Sequence, residues 1–547
     1  MNILKKEISS QKIILVISLY LGFILNISFI KNFWVNFNIE NYSQFFCFIF
    51  LFVLLPLPII GLLNLILFKH TLKPLGILII ILSSATNYMM LKMGILIDVT
   101  MIRNVFETNT REAFDLVSLP LLLYIFVFGV IPSFLLFKTK VYYYSLKCEV
   151  IKRALTVTVI SFLFVLYIFV FAKEIIPFVR NNAGFRARYN TLNYIVNTAR
   201  YTSKVLKSNR KLVVIDEHAK PDMFKDDNTH VIVLVIGETA RAQNFSLGKY
   251  ERETNPLLSK EKNLVYIDDT SSCGTSTAIS LPCIFSARKR SKFDVDSAKY
   301  EENILDLLQR AGWKVVWYEN DDGCKGVCQR VEKYNVVKIG DKDFCFDSYC
   351  HDEVLLKHLE NALKNIKPNE NTVIVLHTMG SHGPTYYKRY PDKFKKFTPT
   401  CDTSDIQNCT KEEIRNTYDN TILYTDYVIS KTIEYLKKYK NYETSMMYVS
   451  DHGESLGENG LYLHGMPYAI APKEQKKVPF VLWFSDKTLK DGHIDISCLK
   501  NGSFNNVSHD NFFHTVLGLS ETDSKLYDKN LDVLLQCRTQ KTEFMKR

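Results

Sequence analysis

Two acidic residues and a histidine stand directly after short apolar runs. Glu238 follows Val231–Ile236 and Gly237, and Asp451 and His452 follow Met446–Val449 and Ser450. Two carboxylates and an imidazole brought to one sheet edge suit a divalent metal, Zn²⁺ ahead of others. Singly, each also reads as a helix cap or a surface ion pair; the repeated strand-then-ligand context favours the metal. Hydroxyls cluster in Ser271-Ser-Cys-Gly-Thr-Ser-Thr277, which continues to Cys283. Their ordinary role is helix capping. A helix N-terminus is also an anion site, and a metal lowers the pKa of bound water from ~15.7 to ~7 in the best case. An activated Thr beside such an ion can attack phosphorus and hold a covalent intermediate.

A second group is richer in histidine and lysine. His382 lies in Ser381-His-Gly-Pro384, after the apolar run Thr372–Leu376; His464 lies twelve residues after His452; Lys325 lies between Cys324 and Cys328. Such groups grip phosphate oxygens or protonate a leaving alkoxide. Any one histidine is more often structural, and His377, His509 and His514 are given no role. Asn104, Thr108 and Glu112 are spaced i, i+4, i+8, so on one helix they share a face. A carboxylate there suits a lipid ammonium, although an exposed polar face explains the spacing equally well.

The elements that must position these residues follow from pattern. Beyond about residue 205, runs at Val231–Ile236, Lys314–Trp317, Thr372–Leu376, Met446–Val449 and Val478–Trp483 read as strands. Periodic segments at Glu301–Ala311, Asp352–Asn365 and Asp426–Tyr439 read as helices. The alternation predicts an α/β domain with a mainly parallel sheet flanked by helices. Ligands of such sheets sit at the carboxyl ends of strands.

The first 172 residues have another solvent. Ile13–Ile30, Phe45–Phe68, Pro74–Leu91, Leu116–Phe137 and Ala154–Ala172 carry no charged residue. Each approaches the ~20 residues that cross a bilayer as helix. Lys5, Lys6 and Lys12, then Lys69 and Lys73, then Lys138, Lys140, Lys147, Lys152 and Arg153 flank alternate ends. The positive-inside rule makes those ends and the N-terminus cytoplasmic. The expected organisation is a five-span domain at 1–172 with an interfacial helix near 98–115, a linker with interfacial helices at 173–229, and an exported domain at 230–547.

The 547-residue chain carries a formal charge of +11, but no nucleic-acid motif accompanies it. Much of the excess flanks the spans or lies in the 173–211 connector, where it suits anionic headgroups, although an ordinary solvated linker helix explains it equally well. Ten of the twelve cysteines lie beyond residue 270. The pairs Cys273/Cys283, Cys324/Cys328, Cys345/Cys350 and Cys401/Cys409 read as disulfides of an oxidising compartment, with Cys498/Cys537 paired by parity. A rival is a four-thiolate zinc site from Cys324, Cys328, Cys345 and Cys350.

Together these residues resemble the phosphoethanolamine transferases of Gram-negative bacteria, which include lipid A-modifying and mobile colistin-resistance enzymes. The motifs are Gly237-Glu-Thr-Ala-Arg241, Cys273-Gly-Thr-Ser-Thr277, Ser381-His-Gly-Pro384, and Ser450-Asp-His-Gly-Glu-Ser-Leu-Gly-Glu-Asn-Gly460 running on to His464-Gly-Met-Pro467. The resemblance implies an alkaline phosphatase/sulfatase-type domain on an inner-membrane anchor, with its catalytic domain in the periplasm. It implies a tightly held Zn²⁺ on Glu238, Thr277, Asp451 and His452, with room for a second ion, and Thr277 as nucleophile. Lys325, His382 and His464 take the phosphate and second-metal positions. Asn104, Thr108 and Glu112 take the headgroup positions, and Asn320 a substrate contact. Asp321-Asp322 departs from the Asn-Ser-like pair the family leads one to expect. The implied reaction moves phosphoethanolamine from phosphatidylethanolamine through Thr277 to a lipid A phosphate of lipopolysaccharide, giving polymyxin resistance. A monomer among membrane lipids is expected. Transfer to a core heptose, a membrane-anchored phosphodiesterase or sulfatase, and a non-catalytic envelope scaffold are the competing readings.

Overall fold

A computed structural model describes residues 7–37, 39, 41–108, 110–181, 185–206, 211–221, 228–346, 349–502, 504, 506–541 and 543–546. The chain divides into two compact units. One comprises Met1–Val105 and Val117–Ser203; the other comprises Phe106–Leu116 and Lys204–Arg547.

The first unit is helical. Tyr42–Ile66, Leu72–Lys92, Leu119–Lys138 and Leu146–Val170 are each long and apolar enough to cross a membrane. Ser10–Ile24 and Ile27–Val35 form a fifth, bent by 45°, if the pair counts as one span. Phe162, Val165 and Phe169 are exposed on Leu146–Val170, as lipid-facing side chains are. That helix begins eight residues before the uncharged run does, and so carries Glu149 and Arg153. Both are buried. Arg153 bonds Glu149 at 2.8 Å and the Asn64 carbonyl at 2.9 Å, and Ser10 Oγ donates to Glu149. Pairing is what makes buried charge tolerable there.

The single helix expected near 98–115 is instead two. Val99–Glu107 ends before Thr108, and Thr110–Asp115 follows. Thr and Asn bond nearby backbone and favour helix ends over helix interiors. Asn104 and Thr108 therefore do not share one continuous helix, and the Glu112 side chain lies outside the described residues.

The second unit is built on a seven-stranded sheet. Its strands are β1 (His230–Gly237), β2 (Leu264–Ser271), β3 (Lys314–Glu319), β4 (Glu332–Asn335), β5 (Thr372–His377), β6 (Glu443–Ser450) and β7 (Lys477–Phe484). Their spatial order is β2-β7-β6-β1-β5-β3-β4. The run from β6 to β4 is parallel, and β7 is antiparallel to both β6 and β2. The fold class is thus the expected α/β type. Two strands were not legible: β2 carries Asp268 and Asp269 within its run, and β4 is a short edge strand whose side chains are mostly exposed. The helix expected at Asp426–Tyr439 spans Lys411–Lys437. Its start is set by a capping box between Thr410 and Glu413, the reciprocal pattern that satisfies two orphan donors. Its first turns bury Thr417, Asp419 and Asn420, polar residues that mask the helical period.

All five expected cystines form, Cys498–Cys537 among them. The four-thiolate zinc alternative is overturned, because Cys324–Cys328 and Cys345–Cys350 are bonded sulfur to sulfur. Cys401–Cys409 is lopsided: Cys401 is buried, whereas Cys409 is only half-buried. The buried end is anchored by Cys401 N, which donates to Thr417 Oγ1 at 2.7 Å. Cys409 lies at the other end of the loop, directly before the capping residue Thr410, and its N–H donates to the Ile406 carbonyl at 3.1 Å. This bond therefore fastens a surface loop to the start of Lys411–Lys437. Cys498–Cys537 closes a 39-residue separation and Cys345–Cys350 only 5. Loop entropy then makes the first about 2 kcal/mol the more stabilising. Calorimetry of the full chain should show a larger fall in unfolding midpoint for C498S/C537S than for C345S/C350S.

Candidate active site

Register assembles the site. Ser450 of β6 pairs Gly237 of β1, Ile236 pairs His377 of β5, and His377 pairs Glu319 of β3. The residues at and just past these four parallel strand ends therefore stand in a row: Asp451 and His452, Glu238, His377, then Glu319 to Asp321. The backbone is close there. Gly380 has φ +51°, and a Cβ on it would lie 2.6 Å from the Glu238 carbonyl oxygen. A Cβ on Gly453 would lie 2.0 Å from the Glu474 carbonyl oxygen.

Glu238, Asp451 and His452 are fully buried and bring one ligand atom each within 4.8 Å of one another. His452 Nδ1 bonds the Gly453 carbonyl at 2.8 Å, so Nδ1 carries the hydrogen and Nε2 the lone pair. That Nε2 faces Asp451 Oδ2 at 3.3 Å and Glu238 Oε1 at 3.4 Å. Burial, reinforced by His464, holds the ring well below the usual histidine range. Asp451 Oδ2 has no hydrogen-bond partner among the described residues. Burial, with Asp321 nearby, pushes the Asp451 carboxyl up. A neutral imidazole lone pair aimed at two buried carboxylates is an arrangement a cation stabilises, and the O, O, N donor set suits Zn²⁺.

Thr277 opens the helix Thr277–Ile284, with Ser276 as its N-cap residue. Its hydroxyl donates to Glu238 Oε2 at 3.1 Å and lies 3.5 Å from His452 Nε2. The preceding loop is held from several sides. Cys273 is bonded to Cys283, Gly274 N donates to Ser280 Oγ, and Thr275 bonds both Gly465 and Met466 backbone. His509 ties it to β6. Its Nδ1 accepts from Cys273 N at 3.0 Å, and its Nε2 donates to the Ser450 carbonyl at 2.9 Å.

The remaining expected residues divide. His464 stands against His452, ring centres 4.4 Å apart, and 5.5 Å from His382. Its Nδ1 bonds Glu454 Oε2 at 2.9 Å, and Tyr386 Oη donates to Glu454 Oε1 at 2.8 Å. Although burial opposes it, Glu454 raises the His464 pKa. Lys325 has φ +46° and pairs Asp322 at 2.9 Å. Asp322 of the departing pair thus anchors Lys325, and Asp321 turns inward. Asn320 uses its amide nitrogen inside the fold, donating to the Cys350 carbonyl and to Asp352 Oδ1. Of the cystines, Cys273–Cys283 borders the Thr277 loop and Cys324–Cys328 encloses Lys325. Cys401–Cys409 fastens the loop before Lys411–Lys437.

A family model described as Sulfatase matches residues 230–522, and one described as Phosphoethanolamine transferase EptA/EptB matches 55–206. Phosphoethanolamine transferase EptA of Escherichia coli K12 is 40% identical over 534 residues, 96% of each chain. The chain belongs to the phosphoethanolamine transferases. Phosphatidylethanolamine transferase Mcr-1 of Escherichia coli is 37% identical over 435 residues, 77% of this chain and 80% of that one. The lipooligosaccharide phosphoethanolamine transferase A of Neisseria meningitidis, an integral membrane protein, superposes with a TM-score of 0.94 at 36% identity. That match covers 98% of this chain and all of that one. This transferase is an integral membrane enzyme with N-terminal apolar helices and a sulfatase-like domain.

Sequence reasoning missed Glu454, Glu319, Asp352 and the part played by His509. Glu454 had a signal, as the fourth residue of Asp451-His-Gly-Glu454; the others depend on register and packing. His509 also yields a pH prediction. Burial lowers its pKa to about 4, against ~6.5 unfolded. Its contribution is complete above pH 6.5 and is lost as pH falls toward 4, by up to about 3 kcal/mol. Thermal unfolding of the full chain at pH 7 and pH 5 should show a larger loss for the parent than for His509→Gln.

Proposed function

We propose that this transferase moves phosphoethanolamine from phosphatidylethanolamine to a phosphate of lipid A through a covalent intermediate on Thr277. The observation that carries this reading is the Thr277 hydroxyl at a helix N-terminus, 3.1 Å from Glu238 and 3.5 Å from His452. The donor and acceptor classes are supported by relatives named for phosphatidylethanolamine and for lipooligosaccharide.

Glu238, Asp451 and His452, with Thr277, would hold Zn²⁺. When bound, the ion supplies Lewis-acid charge that lowers the hydroxyl pKa and offsets negative charge on the transferring phosphoryl group. Glu238 Oε2 orients the Thr277 hydroxyl and takes its proton as that oxygen attacks phosphorus. The bond from phosphorus to the diacylglycerol oxygen breaks, and that oxygen leaves with the electron pair. His464, its pKa raised by Glu454, gives the leaving oxygen a proton. A lipid A phosphate oxygen then attacks phosphorus, its P–OH proton passing to His464; the bond from phosphorus to Thr277 breaks, and Glu238 returns the proton to the Thr277 oxygen. Lys325 supplies positive charge, and Lys325 and His382 supply hydrogen bonds, to phosphate oxygens. The added ammonium reduces the net negative charge of lipid A, so cationic polymyxins bind it less well. The enzyme acts as a monomer in the inner membrane, with its N-terminus in the cytoplasm and its sulfatase-like domain in the periplasm.

Mass spectrometry of lipid A from a host making the chain or its Thr277→Ala variant tests this. The expected result is a phosphoethanolamine increment with the parent and none with the variant. An unmodified lipid A, with both proteins folded in the membrane, would rule out this acceptor. An increment that survives in the variant would rule out this nucleophile.

A further inference from the structure

Beside Glu238, on the side away from Asp451, a second histidine meets two carboxylates. Glu238, Asp321 and His377 offer one ligand atom each within 4.8 Å of one another. His377 and Asp321 side chains are 0% and 1% exposed, and Glu238 is fully buried. They stand at or just past the adjoining strand ends of β1, β5 and β3.

The imidazole is prepared as a ligand. His377 Nδ1 bonds Glu319 Oε1 at 2.8 Å. Glu319 is fixed as an acceptor by Trp317 Nε1 on Oε2 at 2.9 Å and by Asp321 N on Oε1 at 2.8 Å. Nδ1 therefore carries the hydrogen toward Glu319, and Nε2 points at the cluster. A carboxylate behind an imidazole is the support found at metal-bound histidines, where it fixes tautomer and ring orientation. Neither His377 Nε2 nor Asp321 Oδ1 has a hydrogen-bond partner among the described residues. The alternative is an imidazolium, but its Nε2–H would meet Asp321 Oδ2 at 3.7 Å, beyond hydrogen-bond reach. Against the cost of burial, Glu319, Asp321 and Asp451 raise the His377 pKa to about 9. A bound cation would compensate the same carboxylates and leave the ring neutral.

We propose a second divalent-cation site formed by Glu238, Asp321 and His377, with Glu238 shared between it and the ion beside Thr277. It rests on the reading of Glu238 as a ligand of that first ion. Two carboxylates and one imidazole suit Zn²⁺, or the harder Mn²⁺ with waters completing its shell, and are too few oxygens for Ca²⁺. Ligand bonds of about 2.0–2.2 Å place donor atoms roughly 3–4 Å apart, so modest side-chain movement closes the site. The ion balances Asp321 and holds Glu238 in position for Thr277.

The test is metal content of the metal-stripped full-length chain in detergent, loaded with Zn²⁺ alone or Mn²⁺ alone, by elemental mass spectrometry after gel filtration. Two equivalents are expected for the parent, one for Asp321→Asn and one for His377→Gln. A single equivalent, lost in Asp451→Asn and kept in Asp321→Asn, overturns the second site while the first stands. A second equivalent lost in His464→Gln but not in Asp321→Asn overturns it too. No bound ion in the parent overturns both readings. Anomalous diffraction from parent crystals soaked in Mn²⁺ needs no variant. A peak within coordination distance of Asp321 and His377 supports the site, and a peak only beside Asp451 and His452 overturns it.

Discussion

Five carboxylates, from Glu238, Glu319, Asp321, Asp352 and Asp451, are buried along the carboxyl edge of one sheet. An isolated buried carboxylate costs several kcal/mol or more, and uncompensated charge is removed by protonation or by a partner. Two of the five are satisfied by the fold. Asp352 accepts from Asn320 Nδ2 and from the backbone N–H groups of Met379 and Gly380. Glu319 is met by Trp317, His377 and the Asp321 backbone. Glu238, which accepts from Thr277, and Asp451, which accepts from the Thr239 and His452 backbone, stand crowded with Asp321 and two imidazoles.

The scaffold gives that demand its geometry. Four parallel strands end level, so residues far apart in sequence arrive side by side without a long loop. The glycine positions allow the backbone to pass close behind Glu238 and His452. His509 and the Cys273–Cys283 bond hold the Thr277 loop to the same edge, which keeps a hydroxyl at hydrogen-bond distance from the Glu238 carboxylate. Chemistry and stability are therefore coupled: what binds at the strand ends also relieves the charge the fold has buried.

Much of this was legible because local pattern carries it. Glu238, Asp451 and His452 each follow a strand, and Thr277 opens a helix after a hydroxyl-rich loop. The uncharged runs and close cysteine pairs were equally plain, but spacing alone did not tell a pair that borders the site, Cys273–Cys283, from one that fastens a surface loop, Cys401–Cys409. What could not be read depends on register or on partners distant in sequence. Glu319, Asp321 and His377 join only because β3 and β5 pair with those residues opposite. The start of Lys411–Lys437 was hidden because Asp419 is buried on Arg252, Tyr250 and Asn244. The helix through Asn104 stops at Glu107, so a spacing that looked continuous spans a break between two helices.

Charge compensation at the strand ends is tested most directly by the thermal unfolding midpoint of the full-length chain in detergent, before chelation, after chelation, and after Zn²⁺ is restored. Binding confined to the folded state stabilises it by about 4 kcal/mol at a thousandfold excess over Kd. The account predicts a midpoint that falls on chelation and returns with Zn²⁺. A midpoint that stays put while the metal is shown to leave would contradict it.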